Sequence, residues 1–163
     1  MNIRGLPVPA KAVVKSRVLL VEDSKFLRLA NERALSKAGF DVTTAADGEE
    51  ALQIANDKLN DKLPDIILLD MLLPRLSGPE VLKALKANPA TMHIPVIVLS
   101  SLSQKNEEKL LGEGAAAYFE KSSLGLDKNS DGLAAMIEAV LARVESARKP
   151  DPGSKARAAK AGQ

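Results

Sequence analysis

Five residues of this chain have side chains that could do chemistry together: Glu22, Asp23, Asp70, Ser100 and Lys121. Each stands at or just past the end of a short apolar run, in "RVLLVED", "DIILLD", "VIVLS" and "AAAYFEK". Of the seven residues 66–72, six are Ile, Leu or Met, and the exception is Asp70. Taken singly, each has a plain structural reading. Asp70 could end a strand and cap a turn, Ser100 could be a strand-end hydroxyl, and Lys121 a solvated loop charge. Taken together, three carboxylates about 4 Å apart would repel by roughly 4 kcal/mol per pair at an effective dielectric near 20. Such a cluster requires a cation, a shared proton or compensating donors. A few carboxylates with a backbone carbonyl and waters suit magnesium better than calcium. Metal, ammonium, hydroxyl and a free carboxylate oxygen would then form a phosphoryl-transfer site with Asp70 as nucleophile.

The elements that must position these residues follow from periodicity. "RVLLVE", residues 17–22, is a buried strand, and Ser24 caps a helix with Phe26, Leu27, Ala30, Ala34 and Leu35 inward, closed by Gly39. "DVTTA" is a more polar edge strand. A second helix runs from Asp47 through Leu59 with Ala51, Leu52, Ile54 and Ala55 inward, and "DIILLD" is the third strand. Pro79 opens a third helix ending about Ala87, and "VIVLS" is the fourth strand. Ser103 to Glu113 reads as a short helix, "AAAYFE" as the fifth strand, and Gly132 to Ala147 as a last helix burying Leu133, Met136, Ile137, Val140, Leu141 and Val144. Alternating strands and helices imply an α/β fold, a doubly wound parallel sheet with helices on both faces. Side chains at the carboxyl ends of such strands converge on one rim.

Composition narrows the field. The 163 residues contain no Cys and a single His, which excludes a disulfide framework and makes zinc improbable. No apolar run is long enough for a membrane span and no signal peptide is evident, so a cytoplasmic protein without membrane contact is expected. The formal charge of +2 is unevenly spread. Residues 1–17 carry four basic groups and no acid, residues 147–163 carry five against Asp151, and the 129 residues between have a net charge of −6. The folded part is acidic, and nucleic acid is not expected as a partner. We divide the chain into an extension (1–16), one domain (17–147) and a basic disordered tail (148–163).

Glu22, Asp23, Asp70, Ser100 and Lys121, within "LLVEDSKFLRLA", "DIILLDMLLPRLSG", "IPVIVLS" and "GAAAYFEKS", resemble the receiver domain of bacterial two-component response regulators. The resemblance covers about Arg17 to Ala147. It implies a CheY-like, flavodoxin-like sheet of order 2-1-3-4-5. It also implies that Asp70 accepts a phosphoryl group from a phosphohistidine of a histidine kinase or histidine phosphotransfer protein. Asp23, Asp70 and the carbonyl of Leu72 would bind Mg2+, with Glu22 acting mainly through water. Ser100 and Lys121 would hold the phosphoryl oxygens, and Tyr118 would be the aromatic switch that turns inward with Ser100. The implied protein is a signalling regulator rather than an enzyme, with at most slow self-dephosphorylation. No second folded domain is read, so a single-domain regulator or relay intermediate acting on a downstream protein target is expected. Two features depart from the pattern: Ser122 stands where many receivers have proline, and the loop Ser122 to Asn129 is long.

Three other readings compete. A haloacid-dehalogenase type of phosphatase also uses an Asp after a parallel strand, but its second acid would fall at Leu72. A flavodoxin-like cofactor binder would need a Ser/Thr/Gly-rich phosphate loop in place of "EDSKF". A pseudo-receiver would act as an interaction module without phosphorylation, although here all five functional positions are filled.

Overall fold

The computed structural model describes residues 16–57, 63–101, 107–121 and 130–148. Its elements are β1 (Arg17–Val21), α1 (Lys25–Lys37), β2 (Asp41–Ala45), α2 (Gly48–Ala55), β3 (Ile66–Asp70), α3 (Gly78–Ala87), β4 (Val96–Ser100), α4 (Glu107–Gly112), β5 (Ala117–Glu120) and α5 (Ser130–Arg148). All four strand pairings are parallel, in the order β2-β1-β3-β4-β5. This is the order that the resemblance implies.

The strands are short and apolar because the central ones are covered twice. Every residue of β3 and β4 is buried, whereas β2 at the edge alternates between exposed and half-buried before ending in buried Ala45. Period-2 alternation sends Leu19, Val21, Ile67 and Leu69 to one face, where α2, α3 and α4 supply Ala51, Val81, Leu82, Leu85 and Leu110. Val18, Leu20, Ile66 and Leu68 go to the other, against Leu35 of α1 and Leu133, Ile137 and Val140 of α5. Gly39, at φ 100°, turns the chain out of α1 in the left-handed region that glycine occupies without strain.

Several expected boundaries and faces change. Phe26 and Ala30 point outward, and Phe26 is 74% exposed. The inward stripe of α1 runs through Leu27, Asn31, Ala34 and Leu35, so Phe26 and Ala30 lie about 100° round the helix from it. Helix α2 stops at Ala55 instead of Leu59. Asn56 caps it there, and its side-chain oxygen accepts a hydrogen bond from Asn88 Nδ2 at 2.8 Å, which ties the ends of α2 and α3 together. Strand β5 begins at Ala117 rather than Ala115, because the Ala115 N–H bonds back to the Leu110 carbonyl and closes α4. Helix α5 starts two residues before Gly132 and ends one after Ala147. The first residues of the expected fourth helix (103–106), the loop 122–129, and most of both terminal segments lie outside the described residues.

Candidate functional site

The register of β1 on β3 pairs Val21 with Leu69, so the next residues, Glu22 and Asp70, stand side by side on adjacent parallel strands. Strand β4 pairs Asp70 with Leu99, which sets Ser100 one step further on, buried at the strand end. Lys121 follows β5 directly. The sheet thus delivers four of the five candidate residues to one rim through register alone, and the turn after β1 adds Asp23.

At this rim Glu22 is 1% and Asp70 2% exposed, while Asp23 is open to solvent. Carboxylate oxygens of the three lie within 4.8 Å of one another. Lys121 Nζ bridges the two buried ones, 2.8 Å from Glu22 Oε2 and 2.8 Å from Asp70 Oδ2. This ammonium offsets the repulsion between neighbouring carboxylates that their register makes unavoidable. Burial pushes the Glu22 carboxyl above its ordinary range; the Lys121 hydrogen bond pulls it back, and the Asp70 charge adds to the rise. Burial alone would lower Lys121, but hydrogen bonds and charges from Asp70 and Glu22 outweigh it and hold the ammonium above its ordinary value. Three carboxylates against one bridging ammonium leave the cluster negative. Its oxygen donors, with one acid open to water, fit a hard divalent cation that keeps much of its hydration.

The backbone holds the nucleophile candidate in place. Asp70 Oδ1 accepts a hydrogen bond from the Leu72 N–H at 3.1 Å, so the Leu72 peptide lies against the acid while its side chain is 57% exposed. The Gly78 N–H donates to the Met71 carbonyl at 3.1 Å. A Cβ at Gly78 would meet the Asp70 carbonyl oxygen and Met71 Cα at 2.5 Å, so only glycine lets α3 start this close beneath Asp70. Ser77 and Glu80 form a capping box that fixes this start.

Tyr118 lies away from the carboxylates, half-buried against the apolar cluster under α2, α3 and α4. Its register partner is Val98, two residues before Ser100. The structure therefore brings Glu22, Asp23, Asp70 and Lys121 together, places Ser100 at the neighbouring strand end, and keeps Tyr118 below the rim. Ser122 and its loop lie outside the described residues. Reading the sequence missed Arg28, whose Nη1 donates to the carbonyls of Glu22 at 2.9 Å and Asp23 at 3.3 Å. The signal available for it was an arginine one turn into a helix whose first turn has no acid.

The family model for the response regulator receiver domain matches residues 18–128. The chain belongs to this family, whose members are signalling domains of two-component systems that bind Mg2+ in an acidic pocket. It is 44% identical over 120 residues to the gliding motility regulatory protein of Myxococcus xanthus, covering 72% of this chain but 15% of that protein. It is 39% identical over 99 residues to protein PilG of Pseudomonas aeruginosa, covering 59% of this chain and 70% of PilG. The phosphorylated cyanobacterial phytochrome response regulator RcpA superposes with a TM-score of 0.69 at 30% identity, over 78% of this chain and 94% of RcpA. The chemotaxis response regulator CheY4 of Vibrio cholerae gives 0.65 at 28% identity, over 77% and 98%. Among the described residues, no helix is long and apolar enough to cross a membrane.

Proposed function

We propose that this chain takes a phosphoryl group onto Asp70 from the phosphohistidine of a sensor histidine kinase or histidine phosphotransfer protein. It then signals through altered contacts with a downstream protein target. The working unit is residues 17–147, acting in the cytoplasm as a single-domain regulator or relay intermediate. The observation that carries this reading is the buried Asp70 carboxylate at the rim, sharing one ammonium with Glu22. A carboxylate oxygen of Asp70 attacks phosphorus, the donor's phosphorus–nitrogen bond breaks, and the imidazole nitrogen leaves with the electron pair. Lys121, already 2.8 Å from Asp70 Oδ2, needs only a small shift to neutralise an oxygen of the transferred group. Ser100 donates its hydroxyl to another such oxygen, and Tyr118, coupled to it through β4 and β5, carries the change to the surface. Asp23, Asp70 and the Leu72 carbonyl would hold Mg2+, with Glu22 acting through water, and the bound ion would supply charge compensation for the incoming phosphoryl oxygens. The chain's own chemistry ends at slow hydrolysis of the acyl phosphate.

Incubation with acetyl phosphate and magnesium, followed by intact mass, tests the reading. The parent is expected to gain one phosphoryl group, and Asp70→Asn, which keeps the shape and loses the nucleophilic oxygen, to gain none. Equal phosphorylation of the two would sink it.

A further inference from the structure

Helix N-termini favour acids and disfavour cations, because the peptide dipoles leave partial positive charge there. Three helices follow this rule: α2 has Glu49 and Glu50 in its first turn, α3 has Glu80, and α4 has Glu107 and Glu108. Helix α1 breaks it. It opens with Lys25, has no acid in its first turn, and carries Arg28 one turn in. The arginine is not there to pair with a carboxylate, since among the described residues none is ion-paired to it. Its Nη1 reaches back along the chain to the carbonyls of Glu22 and Asp23.

We propose that Arg28 is the positioning residue for the acidic turn, holding the backbone of Glu22 and Asp23 so that their carboxylates converge on the cation site without occupying them. Other bonds to this turn leave a gap that Arg28 closes. The Glu22 N–H is fixed to the Ala45 carbonyl at 3.0 Å, and the Ser24 carbonyl accepts from the Arg28 N–H at 2.8 Å. Between them the carbonyls of Glu22 and Asp23 have Arg28 as their donor. Asp23 is exposed, so no packing holds its carboxylate towards Asp70 and its backbone must do so. The two cations of the site thus divide the work: Lys121 sits on carboxylate oxygens and must yield to an arriving cation, whereas Arg28 sits on carbonyls and need not move.

The inference rests on the magnesium site proposed above, and its test separates the two. Magnesium is titrated calorimetrically into the parent, Asp23→Ala, Arg28→Ala, Arg28→Lys and Arg28→Gln, with urea unfolding of each. Pure electrostatics predicts that removing a positive charge beside three carboxylates tightens magnesium binding. Positioning predicts the opposite sign: Arg28→Ala weakens it about tenfold, the low end for partners that orient metal ligands. Because one nitrogen makes both contacts, Arg28→Lys should recover part of the affinity. Arg28→Gln keeps an N–H donor and serves if Arg28→Ala does not fold. If Asp23→Ala binds magnesium like the parent, the site reading falls. If Asp23→Ala loses it while the Arg28 variants bind as tightly as the parent or tighter, this inference alone is overturned.

Discussion

Two helix starts flank the acidic rim, and they are built in opposite ways. Helix α3 is finished from within: Ser77 accepts from the Glu80 N–H, Glu80 bonds back to Ser77, and proline and glycine fill its first positions. Helix α1 has a Ser24 cap, with the Leu27 N–H at 3.4 Å, and where α3 has its acid three residues after the cap, α1 has Leu27 and no acid in its first turn. The acids nearest its N-terminus lie just before it: Glu22 Oε1 accepts from the Ser24 N–H at 3.3 Å while its Oε2 holds Lys121, and Asp23 stands open to solvent beside the cation site. A helix start that only supports Asp70 can complete its own hydrogen bonds. One that carries the ligands leaves its negative charge available and is held by an arginine.

Substitutions that strike one start should therefore act on the fold, and those that strike the other on the ion. Gly78→Ala drives a Cβ into the backbone of Asp70 and Met71, and is expected to cost about 3 kcal/mol, the upper part of the range for overpacking. Urea unfolding measures it, and a near-neutral result would mean that α3 is not pressed against the site. Lys121→Ala leaves Glu22 and Asp70 crowded and unpaired. Because Lys121 is 24% exposed, the expected loss is about 2 kcal/mol, below the roughly 3–5 kcal/mol for a fully buried pair. Added magnesium should restore much of this loss; failure to do so would place the ion elsewhere.

The same pair sets a pH dependence. Glu22 and Lys121 both bind protons more tightly in the folded state, so their contributions are present at low pH and are lost as pH rises through their raised folded values. For Lys121 that loss begins at the ordinary lysine value and is complete only above its raised folded one. Thermal unfolding against pH should show an alkaline decline in the parent that is shallower in Lys121→Ala. Ser77→Ala, at the self-contained start, should cost about 1 kcal/mol and leave magnesium affinity unchanged. A matching drop in affinity would blur the contrast between the two starts.

How much of this was legible depended on how local the cause was. Asp70 inside an apolar run, and the strands that carry Glu22 and Ser100, could be read because strand period and burial are local properties. The face of α1 could not. Phe26, Leu27, Leu29 and Ala30 spread apolar residues over roughly half the circumference of its first turns, wider than the stripe that is buried, and only packing under Leu35 chose which edge faces in. The end of α2 was hidden for a similar reason, since it depends on Asn88, which is 32 residues away. The Lys121 bridge spans 99 residues to Glu22 and depends on the register of three strand pairings. Sequence brought Lys121 to the rim but did not show it on both carboxylates.

The central claim is that Asp70, and no other carboxylate of the cluster, takes the phosphoryl group. Borohydride reduces an acyl phosphate to the alcohol, so a phosphorylated aspartate becomes homoserine, and peptide mapping then locates it. After treatment with acetyl phosphate and magnesium, the account predicts homoserine at position 70 alone. Homoserine at position 23, a reduced glutamate at position 22, or no reduced residue in a protein that has gained phosphoryl mass would contradict it.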